Sequence, residues 1–163
     1  MGRPQKRYPL WVRKACLLAG FVIICHTSLP GQNQSLADSL EVLYDRGGMP
    51  AADELVLLSK IAAAQPNPDT SLYYCNILLQ KAEEQGSDAY RYQGFLLKGN
   101  ALTLKGDLSQ ALESFFKGVE IASQEERQDH LGEIYIAMAG VYSAMGNRAN
   151  TVEYYKSAIA KNR

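Results

Sequence analysis

The sequence predicts an all-α fold, an α–α superhelix of paired helices behind an N-terminal leader. Three observations lead there. Small and large residues recur when the chain is laid on itself at a shift of forty. Apolar residues fall at i, i+3, i+4 spacing through most of residues 51–161. No polar–apolar alternation runs long enough for a convincing strand.

Residues 1–31 read as a signal peptide. "MGRPQKRYPLWVRK" is basic, "ACLLAGFVIIC" is an apolar run of eleven residues, and Pro30-Gly31 interrupts the polar stretch that follows. A run this short falls below the about 20 residues that a helix needs to cross a bilayer. The predicted location is therefore outside the cytoplasm, with cleavage near Gly31 or Gln32. The alternative is an uncleaved anchor extended by Trp11 and Val12, which would be the chain's only route to a membrane. Ile23 and Ile24 before Cys25 are too bulky for a lipoprotein processing site.

Residues 32–50 hold one helix, Ser35–Asp45, and a linker ended by Gly47-Gly48. Residues 51–163 hold the repeats. A degenerate pair occupies 51–86, where Pro66-Asn67-Pro68 separates Ala51–Ala64 from Ser71–Glu84 and Asp69 is the expected cap. The second pair, 92–125, begins in a helix over 90–105 that Gly106 ends as a left-handed C-cap. Asp107, with Gln110 three residues on, is expected to open the next helix as a capping box. The third pair, 132–163, repeats this order around Gly146-Asn147, and residues 123–129 link the two pairs or lengthen their helices.

At the shift of forty, Gly99 falls on Ala139, Leu102 on Tyr142, Gly106 on Gly146, Ala111 on Thr151, Phe115 on Tyr155 and Gly118 on Ala158. Glycine in a helix interior costs about 1 kcal/mol relative to alanine, so its use at Gly99 and Gly118 predicts close approach of helices there. The small residues are expected to let the two helices of a pair cross closely, with the neighbouring ring reaching into the next pair. Those twelve positions resemble the signature of the tetratricopeptide repeat (TPR) family, with Thr151 a departure.

The resemblance implies a scaffold that binds a peptide or partner protein on a concave face lined by the first helix of each pair. It places Gln93, Leu96, Asn100, Thr103, Glu133, Ile136 and Ser143 there. The cationic residues with which some TPRs hold a terminal carboxylate are missing, since Leu96 and Glu133 occupy two of those places. Exported TPR segments of bacteria of the Bacteroidetes type are also similar, which implies a periplasmic sensor part of a signalling protein. It leaves open that the chain is a fragment of a longer cyclase, histidine kinase or transcriptional regulator. A structural module that self-associates through Val152, Tyr155 and Ile159 of an uncapped last helix is the other reading.

The formal net charge is zero, yet Arg3, Lys6, Arg7, Arg13 and Lys14 lie in the leader, where no acid occurs before residue 15. Without them 12 basic residues face 17 acidic ones, a net charge of about −5 that argues against nucleic-acid binding. No GxxxxGK[ST], HExxH or GxSxG motif occurs, and histidine and cysteine are not paired. The chain therefore reads as non-catalytic, with no cofactor and no metal. Cys75 reads as a small buried residue and His130 as a surface side chain. In Tyr73-Tyr74 and Tyr154-Tyr155, one ring is expected inward and one at the rim.

Overall fold

The computed structural model describes residues 30–124 and 126–161. The expected leader lies outside the described residues apart from Pro30 and Gly31, as do Cys16, Cys25 and His26. Seven helices occur among the described residues: α1 Pro30–Asp45, α2 Ala51–Ala64, α3 Pro68–Glu84, α4 Asp88–Lys105, α5 Leu108–Gln124, α6 Gln128–Ala144 and α7 Arg148–Lys161. There is no strand among these residues. None of the described helices is long and apolar enough to cross a membrane.

Successive helices from α2 to α7 pack as antiparallel neighbours through turns of two to three residues. The backbones of α2 and α4, and of α4 and α6, also approach within 8 Å, whereas α3, α5 and α7 do not approach one another so closely. The chain is thus a helical-repeat-like arrangement with an alternating inner row, α2–α4–α6. Its main core joins Tyr92, Leu96 and Leu102 of α4 to Phe115 and Ile121 of α5 and Ile134 and Met138 of α6. A second cluster, Leu55, Leu58, Leu78 and Ala82, fills the α2–α3 pair.

One turn closes four of these junctions. Gly106 has φ 88°, its N–H donates to the Thr103 carbonyl at 3.1 Å, and the Asp107 N–H donates to the Leu102 carbonyl at 2.9 Å. This is the Schellman arrangement. The same paired bonds recur at Gly86, Glu126 and Gly146. These left-handed residues are spaced twenty apart, so each helix-plus-turn unit has one length from α4 through α6. Glu126, φ 55°, is the non-glycine member and adopts a conformation that an L side chain resists.

Two caps differ from expectation. Asn67, rather than Asp69, caps α3: its side-chain oxygen accepts from the Asp69 N–H at 2.8 Å and the Thr70 N–H at 3.3 Å. Proline at N1 already has the helical φ, so α3 starts at Pro68, and Asp69 is left to pair with Lys105 at 2.7 Å. At α5 the Asp107 carbonyl accepts from the Ala111 N–H, and no reciprocal side-chain box with Gln110 forms among the described residues. The expected box does occur in part at α7, where the Asn147 side chain accepts from the Asn150 N–H at 3.2 Å.

The small residues work differently from one another. A Cβ on Gly99 would fall on the Phe115 ring, so this glycine seats an aromatic from its own pair. Gly118 instead faces Ile134 of α6, making it a contact between pairs, not a crossing within one. The Phe115 ring, expected to reach into the next pair, rests on Gly99 of its own pair, has no exposure, and belongs to the core cluster that also holds Ile134 and Met138 of α6. Ala111, Ala139 and Ala158 are buried as expected.

Tyr155, 45% exposed, is the rim member of its tyrosine pair as expected, although it matches the buried Phe115 at the shift of forty. Ala139 already carries a Cβ where Gly99 leaves room, so the ring cannot repeat the Phe115 seat. Tyr154 turns inward instead and stacks on Tyr142 at 5.2 Å. Tyr73 is exposed and Tyr74 half-buried, as the pair pattern predicts. Cys75 is fully buried, and burial pushes its thiol up to about 11, far from a reactive thiolate.

Substituting Gly99→Ala should lower stability by about 1–3 kcal/mol through overpacking on Phe115. Gly140→Ala, in α6 with open space around its Cβ position, should raise stability by about 0.5–1 kcal/mol. Urea unfolding of the two variants checks the contrast. Glu126→Gly should stabilise by about 1 kcal/mol, and Gly106→Ala should destabilise by a similar amount; opposite shifts in melting temperature are the readout.

Candidate functional site

The inner row brings the first halves of α4 and α6 side by side. Tyr92, buried on α4, lays its ring flat against His130 of α6, with centroids 4.0 Å apart and planes 5° from parallel. The Tyr92 hydroxyl lies 2.9 Å from the His130 carbonyl and 3.1 Å from Glu133 Oε2, and donates its one proton to these acceptors. Burial first, and the Glu133 carboxylate second, push the Tyr92 hydroxyl well above the ordinary tyrosine value, so it stays a neutral donor.

Arg127 precedes α6 and grips Asp129 with two bonds, Nε to Oδ1 at 3.0 Å and Nη2 to Oδ2 at 2.8 Å. That fork holds the Asp129 carboxyl well below the usual carboxylate range. The same Nη2 lies 3.1 Å from His130 Nε2, so the imidazole accepts there and carries its proton on Nδ1 when neutral. His130 Nδ1 is buried and has no hydrogen-bond partner. The lone histidine, expected as a surface side chain, is therefore half-buried and holds α6 against α4.

A pocket of about 420 Å³ opens beside this clasp. Tyr90, Gln93 and Leu96 line it from α4, His130 and Glu133 from α6, and Arg127 from the turn before α6. Three of the residues expected on the binding face, Gln93, Leu96 and Glu133, thus share one site. Leu96, 8% exposed, forms its floor. Asn100 lies seven residues beyond Gln93 on nearly the same face of α4 and is exposed.

The other three are placed differently. The Thr103 hydroxyl donates to the Gly99 carbonyl at 2.8 Å and is held by its own helix. Ile136 and Ser143 are seven apart and sit about 60–80° around α6 from Glu133. Ser143 lines a different pocket with Arg148, Thr151 and Val152. Ile136 is 50% exposed. The corresponding flank of α4 is covered by α6, whereas no further inner helix covers α6 among the described residues.

Tyr92, His130 and Arg127 escaped the sequence reading because they do not repeat. At the shift of forty Tyr92 falls on Gly132, a mismatch of size. That break in the pattern was the one available signal. Comparison of the chain with protein-family models, with curated proteins and with solved structures gives no match.

Tyr92→Phe should remove the bonds to His130 and Glu133 and cost about 0.5–1.5 kcal/mol. Because the folded tyrosine resists ionisation, its contribution is complete below the ordinary tyrosine value of 10.0 and is lost as pH rises above it. The urea midpoint should therefore fall on raising the pH past about 10, and less steeply in Tyr92→Phe. Tyr74, also pushed up, to about 12 and chiefly by burial, should keep part of the fall in both proteins.

Proposed function

We propose that this chain is a non-catalytic, TPR-like interaction module that holds an extended peptide or partner segment along the α2–α4–α6 row. The observation that carries this reading is the unequal spacing of the two rows. Backbones approach along α2, α4 and α6 but not along α3, α5 and α7. A stack narrower on one side curves toward that side, and curvature in repeat arrays produces extended concave binding faces.

The residues on that side suit a polypeptide. Gln93 and Asn100 can each donate and accept hydrogen bonds from an extended backbone, and Leu96 offers a small apolar floor. A leader on residues 1–31 would carry this module out of the cytoplasm, which fits the sensor part of a signalling protein. Peptide-array screening followed by fluorescence polarisation tests the reading. A peptide bound by the parent chain should lose at least tenfold in affinity on Asn100→Ala with the melting temperature unchanged. Peptides bound equally well by both proteins would move the binding face elsewhere.

A second reading rests on α7. Val152, Tyr155 and Ile159 are 52%, 45% and 59% exposed and form one stripe, suited to self-association. Light scattering across a concentration range should then show a dimer that Tyr155→Glu abolishes.

A further inference from the structure

We infer that the α4–α6 pocket accepts one basic side chain, arginine or lysine, of the bound segment. This rests on the proposed binding face and names what one position on it selects. Charges of both signs line the pocket. Arg127 is matched by the bidentate Asp129 carboxylate. Glu133 receives only the neutral Tyr92 hydroxyl, on Oε2, and forms no ion pair among the described residues. The pocket therefore presents one negative charge that its own side chains leave uncompensated.

The walls suit the rest of such a side chain. Leu96 and the Tyr90 ring provide an apolar surface for an aliphatic stem, as long basic side chains require when their heads stay polar. Gln93 lines the same pocket as Glu133, and its amide offers an oxygen as a second acceptor. A volume of about 420 Å³ lies within the range of ligand clefts. Long-range attraction acts in the same direction, because the chain beyond residue 14 carries a net charge of about −5. An acidic side chain in the same position would meet the like charge of Glu133, while the Arg127 guanidinium is already engaged by the Asp129 carboxylate.

The test is a two-dimensional NMR titration of the full chain with N-acetyl-arginine amide and N-acetyl-lysine amide, and with the neutral N-acetyl-citrulline amide as control. The basic probes should shift the amides of Gln93, Leu96 and Glu133, and citrulline should bind at least tenfold more weakly. Glu133→Gln keeps an acceptor for Tyr92 and should erase the preference for charged over neutral probes. Comparison of arginine with lysine shows which head fits better. Equal binding of citrulline, shifts confined to other helices, or an unchanged preference in Glu133→Gln would each overturn the inference. Its failure is separable from that of the binding face: peptides lost on Asn100→Ala but bound without charge preference leave the face and remove the subsite. Basic probes held in the pocket of a chain that binds no peptide leave the subsite and remove the face.

Discussion

The Phe115 ring resting on Gly99 is the contact on which the middle of this structure depends. It brings α4 and α5 close enough to share one core, and it sets the side of α5 that faces α6. Gly118, three residues beyond Phe115, then admits Ile134 and joins one pair to the next. Phe115 and Ile134 have no exposure, and each depends on an absent Cβ across the interface. Burial of such side chains contributes about 1.5–3 kcal/mol apiece, more than the helix-propensity cost of a glycine.

Turn chemistry governs the order along the chain as packing governs it across. The left-handed residues at 86, 106, 126 and 146 close every junction from α3 to α7 in the same way. The α2–α3 junction is different because Pro66 and Pro68 hold the preceding residues extended: Gln65 has ψ 120° and Asn67 ψ 119°. That difference explains why the first pair echoes the others only weakly. Its core residues still correspond, with Cys75 and Ala82 as buried as Ala111, but its turn is of another kind.

The candidate site depends on both levels. Equal unit lengths bring α4 and α6 into parallel register, and the close inner row lets Tyr92 reach His130 and Glu133. Within this frame the Arg127–Asp129 fork, the ring stack and the tyrosine hydroxyl form one clasp around a pocket that belongs to neither helix alone. Stability and recognition meet there: Tyr92 holds the helices together by the same hydroxyl that contacts the pocket's carboxylate.

Most helix ranges were legible in the sequence, since apolar spacing, glycine caps and prolines act over a few residues. The forty-residue echo likewise located the buried small positions Gly99, Ala111, Ala139 and Ala158. The echo matches Tyr155 to Phe115 by size alone and does not register that Ala139 carries a Cβ where Gly99 leaves room. The tyrosine-pair pattern instead puts one ring of Tyr154-Tyr155 at the rim, where Tyr155 lies. Of the binding residues that the resemblance implied, Gln93, Leu96 and Glu133 share one pocket, while the Thr103 hydroxyl bonds within its own helix and Ser143 lines a pocket with residues of α7. The clasp of Tyr92, His130 and Arg127 was illegible for a related reason. By itself the sequence determined the all-helical class, the turns and the small contact points, which follow from local backbone preference and periodicity. Only the tertiary structure decided which side chains meet across α4 and α6, because that depends on the rotation and spacing of packed helices, and no short-range pattern encodes those.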